Sequence, residues 1–398
     1  MNTSIVARAP RGLPSFALCA GAFALALAVA APASAQMTKT STTVRAPASA
    51  ASTVAYDQRA TGTAQLLAGI TPTPGDPVID KLASSISWKL HAEQMQKDWA
   101  NVVPRLAEMA KWRDRELNIP EPGKKTLIYP FSGPDYLNAA VLFPTHKEYV
   151  FFSLENPGRI PDVESMTDKQ FGKLLEYTRG AMRDIFQRNY FITSYMAKQL
   201  GTDLFKGTVP VMAIMLALDN KRIVSVMPVD MFPELTKQYA EPGTDRPRKR
   251  MSGARIAFVD AKTGAQQQIT YYSLDATDQA LVYYPAFTEA IARHQPATGF
   301  LKSASYLLHD HQFKKTRDML LGATDVIVED DTGIPYRYFS KSWQVKLYGQ
   351  YAMPIKPMTY GFQPDLRDAY AAQKSTPISF PFGYHWKNGK SGLIVATK

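Results

Sequence analysis

The only cysteine of this 398-residue chain, Cys19, lies inside an uncharged, mostly apolar stretch from Phe16 to Ala31. Arg8 and Arg11 precede that stretch, and Ala33-Ser34-Ala35 follows it. A basic start, an apolar run and an A-x-A-like triplet, in that order, predict a secretory signal peptide over residues 1–35, cleaved after Ala35. Phe16-Ala17-Leu18 puts no small residue just ahead of Cys19, so lipid attachment there is not expected. The mature chain then carries no thiol. Disulfides, cysteine nucleophiles, thiolate metal sites and iron–sulfur clusters are excluded, and a periplasmic or secreted fold must be held by packing alone.

There is material enough for such packing. Hydrophobic residues make up 45% of the chain and aromatic ones 11%, the balance of a folded globular protein rather than a disordered one. No second apolar run approaches the roughly 18 residues that span a bilayer, so the mature chain has no transmembrane segment. The formal charge is +11, and the signal accounts for only two of its basic residues, so the mature chain stays strongly basic. Export directs that charge away from nucleic acid, and towards an envelope glycan or an anionic ligand, or simply towards solubility. No cofactor is expected. Gly389-Lys390-Ser391 does not make a phosphate loop, because Gly383 lies one residue too far upstream.

Residues 36–74 are dominated by Ala, Ser and Thr and predict a flexible leader. Order is expected from Gly75-Asp76-Pro77, where Asp suits a helix N-cap and Pro the first helical position. Ile79, Leu82, Ile86 and Leu90 then recur at helical spacing on one apolar face. A second helix runs through Leu106, Met109 and Trp112. Strands are predicted at 126–129, 148–154 and 222–229, with a helix over 134–141. Thr167 and Gln170 match a capping box that opens a long helix, interrupted at Gly180. Hairpins are predicted at 254–272 and 325–339, helices at 285–294 and 312–321, and strands at 343–351 and 392–396. N-terminal helices, then mixed helices and strands with antiparallel hairpins in the second half, make an α+β fold over residues 75–398. A candidate sub-boundary falls at 241–253, around the basic run Arg248-Lys249-Arg250.

Three segments carry candidate chemistry. Tyr129-Pro130-Phe131-Ser132-Gly133-Pro134-Asp135 joins a strand to a helix through a tight turn, which can gather backbone N–H groups around an anion. Ser132 could alternatively act as a nucleophile, although it lacks G-x-S-x-G spacing, or the turn could be a cap with Asp135 complementing the helix dipole. Glu329-Asp330-Asp331-Thr332-Gly333 offers carboxylates for hydroxyls, a cation or acid–base work, with Tyr336 to stack and Arg337 to clamp an anion. The same residues also suit a plain turn. His309 and His311 are the only ligand-type histidines close together, and no third metal ligand or H-E-x-x-H spacing accompanies them.

The segments YPFSGPD (Tyr129–Asp135) and DDTGIPYRYF (Asp330–Phe339) resemble segments of exported bacterial proteins to which no activity, fold or cofactor attaches. Phe382-Gly383-Tyr384 and Ser391-Gly392-Leu393 add to the likeness, which covers about 75–398. It implies that a shared site includes these segments rather than the histidines. The leading expectation is a periplasmic protein that binds an envelope glycan or anionic ligand through Ser132, Asp135, Asp330, Asp331, Tyr336 and Arg337. The alternatives are a hydrolase using the Asp carboxylates or Ser132, and a structural envelope protein acting through protein contacts.

Overall fold

The computed structural model describes residues 54–191, 200–229, 252–385 and 391–398. The expected signal peptide and the basic run at 248–250 lie outside the described residues, as does all but the last two positions of the candidate sub-boundary.

Five short strands build the centre of one sheet. They are β1 (Thr126–Pro130), β2 (Glu148–Ser153), β5 (Gln266–Ser273), β6 (Ala297–Leu301) and β7 (Thr324–Glu329). All five run parallel, in the order β5-β2-β1-β6-β7. On one side β4 (Ser252–Asp260) and β3 (Lys221–Pro228) continue the sheet antiparallel; on the other, β9 (Gly392–Thr397) and β8 (Gln344–Gly349) do the same. The result is a nine-stranded mixed sheet with helices, an α+β fold as the sequence predicts.

Strand alternation sends side chains to two faces, and both faces are covered. Tyr129, Tyr149, Phe151 and Phe300 join a core formed with the N-terminal and central helices. Ile128, Val150, Phe152 and Ile327 join a second core with helices from the second half. The first set comprises α1 (Gln58–Ala68), α2 (Pro77–Ser84), α3 (Ile86–Ala100), α4 (Val103–Glu116), α5 (Tyr136–Leu142), α6 (Asp168–Arg188) and α7 (Val209–Leu218). The second core takes α8 (Pro285–Arg293) and α9 (Lys314–Ala323), while α10 (Pro364–Ala372) packs beyond β8 through Leu366. Thr167 and Gln170 do form a capping box at the start of α6, and that helix continues through Gly180. Among the described residues no helix is long and apolar enough to cross a membrane.

Four expectations are corrected. The predicted leader 36–74 contains α1, whose Leu66 and Leu67 are buried and whose Thr61 exchanges hydrogen bonds with Ile223 of β3. Its small residues are what let it pack closely: Gly62 lies against Ile79 with no room for a Cβ. The single apolar face from Ile79 to Leu90 divides at Ser85, which caps α3, leaving Ile86 77% and Leu90 64% exposed. The second hairpin does not form. β7 instead pairs with β6 and β9, while residues 336–338 make a 3₁₀ turn. Across the candidate sub-boundary, β3 and β4 pair along their lengths.

Candidate active crevice

The chain passes from β1 through α5 to β2 on one side, and only later returns to lay β6 on the other side of β1. Strand order therefore reverses beside β1, and in such sheets ligands bind in the crevice outside the carboxyl ends of the strands at that point. A cavity of about 470 Å³ lies there. Its polar walls come from the loop after β1 (Ser132, Gly133, Asp135), the end of β2 and the loop beyond it (Ser153, Glu155), and the loop after β6 (Lys302, Ser303, Ser305). Phe131, Phe191, Leu307, Ile355, Met358 and Tyr384 supply apolar and aromatic surface around them.

Beneath the cavity lies a buried polar network. Lys302 Nζ stands 3.0 Å from Asp135 Oδ2, with side chains only 1% and 3% exposed, and donates at 2.5 Å to the carbonyl of Asn189. Tyr129 donates its hydroxyl to Asp135 at 3.0 Å, and Asn138 donates both its backbone and side-chain N–H to the same carboxylate. Burial pushes the Tyr129 phenol well up, aided by the Asp135 charge, so it remains a donor. Asp135 is thus itself the N-cap of α5. The Asp135 carboxylate takes the backbone N–H of Asn138 at this turn, and α5 is a helix of only seven residues. Ser132 lines the crevice, but its hydroxyl donates to the Gly133 carbonyl at 3.0 Å, and no histidine lines the cavity.

Two polar atoms at the crevice are left without partners. Glu155 Oε2 and Ser303 Oγ are buried and make no hydrogen bond. Each lacks inside the protein what a bound molecule could provide, a donor for the carboxylate and an acceptor or donor for the hydroxyl. The backbone around them is also held in an unfavourable region. Of the seven non-glycine positive φ angles among the described residues, five lie at or beside the crevice, at Phe131 (56°), Asn189 (67°), Ser303 (54°), Ser305 (55°) and Tyr306 (55°), while Glu121 and Asn220 lie elsewhere.

The acidic segment is split. Asp330 lies directly behind the crevice wall, accepting from Ser303 N at 2.8 Å. Asp331 accepts from the Tyr306 hydroxyl at 2.6 Å, one step further out. Burial raises both carboxyls, and for Asp331 the neighbouring Asp330 charge adds to it. Glu329, wholly buried, is pushed well above the usual carboxylate range and accepts from Ile334 N. Tyr336 packs in the small core beside β8, and Arg337 is exposed with its guanidinium 5.0 Å from the Tyr338 ring. Neither lines the crevice. His309 sits under Tyr306, its ring held to about 4 by burial. His311 is 90% exposed against Asp310. Among the described residues no three His, Cys, Asp or Glu side chains converge as a metal site.

Sequence reasoning overlooked Glu155 and Lys302. Glu155 carried a usable signal, since it lies two residues past the second parallel strand and follows Gly133 by the roughly 20 residues that separate the first turn from the ribose-binding acid in doubly wound folds. Lys302 carried none, because a lysine in a Lys-Ser-Ala-Ser loop reads as solvated. No family model, curated protein or solved structure matches the chain.

Proposed function

We propose that the protein binds a small ligand built on a hydroxylated sugar ring, the ribosyl group of a nucleoside above all, in the crevice beside β1. The observation that carries this reading is Glu155 Oε2, buried and unpartnered at the carboxyl end of β2. A carboxylate in that place accepts two vicinal hydroxyls, as the corresponding acid of doubly wound folds accepts from ribose. The aromatic surface of Phe131, Phe191 and Tyr384 suits the flat base. Asp135 caps the helix start where dinucleotide folds seat a pyrophosphate, and this favours a nucleoside without phosphates there. A glycan unit is the second reading. It shares the vicinal hydroxyls and is favoured by the signal-like N-terminus, which points to the envelope.

Calorimetric titration with adenosine, adenosine 5′-monophosphate and N-acetylglucosamine separates these readings. Saturable adenosine binding that weakens at least tenfold in Glu155→Gln, roughly the loss of one charge-assisted hydrogen bond, supports the nucleoside. Binding of the amino sugar alone supports the glycan. Absence of saturable heat for all three at millimolar concentration overturns the proposal, and leaves action through protein contacts as the better account.

A further inference from the structure

We infer that the turn Asp330-Asp331-Thr332 is a clasp that shapes the β6 wall of the crevice, so that Asp330 and Thr332 are positioning residues for the ligand rather than its contacts. This rests on the reading of the crevice as a binding site.

The wall in question is Ser303–Leu307, of which Ser303, Ser305 and Leu307 line the cavity. Three of its residues, Ser303, Ser305 and Tyr306, hold the left-handed conformation that non-glycine residues avoid. Such backbone persists only when its surroundings over-determine it. Here the surroundings are the acidic turn. Ser303 N donates to Asp330 Oδ2 at 2.8 Å, Ala304 N to Thr332 Oγ1 at 2.7 Å, and the Tyr306 hydroxyl to Asp331 Oδ2 at 2.6 Å. Three successive turn residues thus reach three positions of a four-residue stretch.

Thr332 ties the arrangement together. Its hydroxyl accepts from Ala304 and donates to Asp330 Oδ1, which also accepts from Thr332 N at 3.0 Å. Asp330 therefore cannot turn away from Ser303 without losing Thr332 as well. From the other side, the Tyr384 hydroxyl donates to the Ser303 carbonyl at 2.8 Å and meets Ser305 Oγ at 2.8 Å. Gly383, at φ 62°, leaves the space that the Asp330 carboxylate occupies; a Cβ there would collide with Oδ2. Gly361 likewise lets the backbone lie against the Tyr306 ring.

The functional consequence lies at Ser303. Its N–H is taken by Asp330 and its carbonyl by Tyr384, while its hydroxyl remains unpartnered at the crevice. The clasp satisfies the backbone so that the side chain is left for something else. The clasp thus joins the Asp330–Thr332 turn to Gly383-Tyr384, more than 50 residues further along the chain.

Thr332→Val keeps the shape of the side chain and removes the shared hydroxyl. Amide hydrogen exchange over 303–306 should accelerate at least tenfold while β1 and β2 hold their rates. Adenosine affinity should fall at least fivefold, and Thr332→Ser should restore both. Should Thr332→Val fail to fold, Asp330→Asn gives the same comparison, since it keeps the size but weakens the acceptor. Exchange at 303–306 that stays level, or that rises no more than in β1 and β2, overturns the clasp. So does unchanged adenosine affinity in a protein whose exchange has accelerated. If the wild-type protein binds no adenosine, the ligand reading fails separately. The clasp is then decided by exchange and its restoration by Ser alone.

Discussion

Lys302→Met tests the buried network most sharply. The ammonium lies 3.0 Å from Asp135 Oδ2 with both side chains almost wholly inaccessible. Its removal leaves a buried carboxylate hydrogen-bonded only to neutral donors, Tyr129 and the two N–H groups of Asn138, with the charge of Arg105 nearby. Breaking a buried pair at one end costs about 3–5 kcal/mol, and those donors place this case near about 3. The Asn189 carbonyl also loses its 2.5 Å donor, adding about 1 kcal/mol. A loss of about 4 kcal/mol is expected in all. With a slope of about 3 kcal/mol per molar urea, the midpoint should fall by about 1.3 M. Asp135→Asn alone should also destabilise, because it strands the ammonium. The double substitution should cost less than the sum of the singles by about 2 kcal/mol, since neither charge is then left alone. A Lys302→Met midpoint within about 0.3 M of wild type, or strictly additive singles, would refute the network as described.

Stability should fall as pH drops from about 6.5 towards 4. Burial holds His91 and His146 down to about 4, so the folded state resists protons that the unfolded chain accepts at its ordinary value. The stabilisation is complete above the unfolded value and is lost as pH falls towards the folded one, by at most about 3 kcal/mol for each ring. Urea midpoints level from pH 7 to 4.5 would contradict this. At lower pH Asp260 should follow. Burial alone would raise it, but Lys221 at 2.6 Å and the N–H groups of Thr263 and Lys262 outweigh burial and hold it at about 2. Its contribution of about 2 kcal/mol is present above the unfolded value and lost between about pH 4 and 2, a step that Asp260→Asn should remove from the acid titration. Arg337→Ala should change stability by no more than about 0.5 kcal/mol and leave adenosine titrations as in wild type, because its guanidinium is exposed and outside the cavity.

What the sequence made legible was local. The strand–turn–helix at Tyr129–Asp135 and the capping box at Thr167 depend on neighbours within a few residues, and both formed. The parallel centre of the sheet was hidden because its keystone, β6, is the five residues Ala-Thr-Gly-Phe-Leu, with a glycine in the middle. That glycine is a packing feature, since a Cβ at Gly299 would press on Ile327 of the next strand. α7 was missed for the opposite reason. It is apolar on every side and buried almost throughout, so it has no period to detect. Asp330 and Asp331 stood out as acids, but composition could not say that they bond a loop rather than a ligand. That distinction depends on which distant backbone N–H groups arrive beside them, and those are set by tertiary structure.

The pairing of α1 with β3 has a consequence for self-association. β3 is an outermost strand, and at its irregular register near Ile223 the N–H and carbonyl of that residue point away from the sheet. Asp57 N donates to the Ile223 carbonyl at 2.8 Å, and Thr61 Oγ1 both accepts from Ile223 N and donates to its carbonyl. A helix thus occupies hydrogen-bonding positions that another chain's strand would otherwise take, which is how natural sheets are kept from adding strands without limit. Cleavage that frees residues 54–70 would uncover this border, and two copies could then join edge to edge through the β3 strands of each.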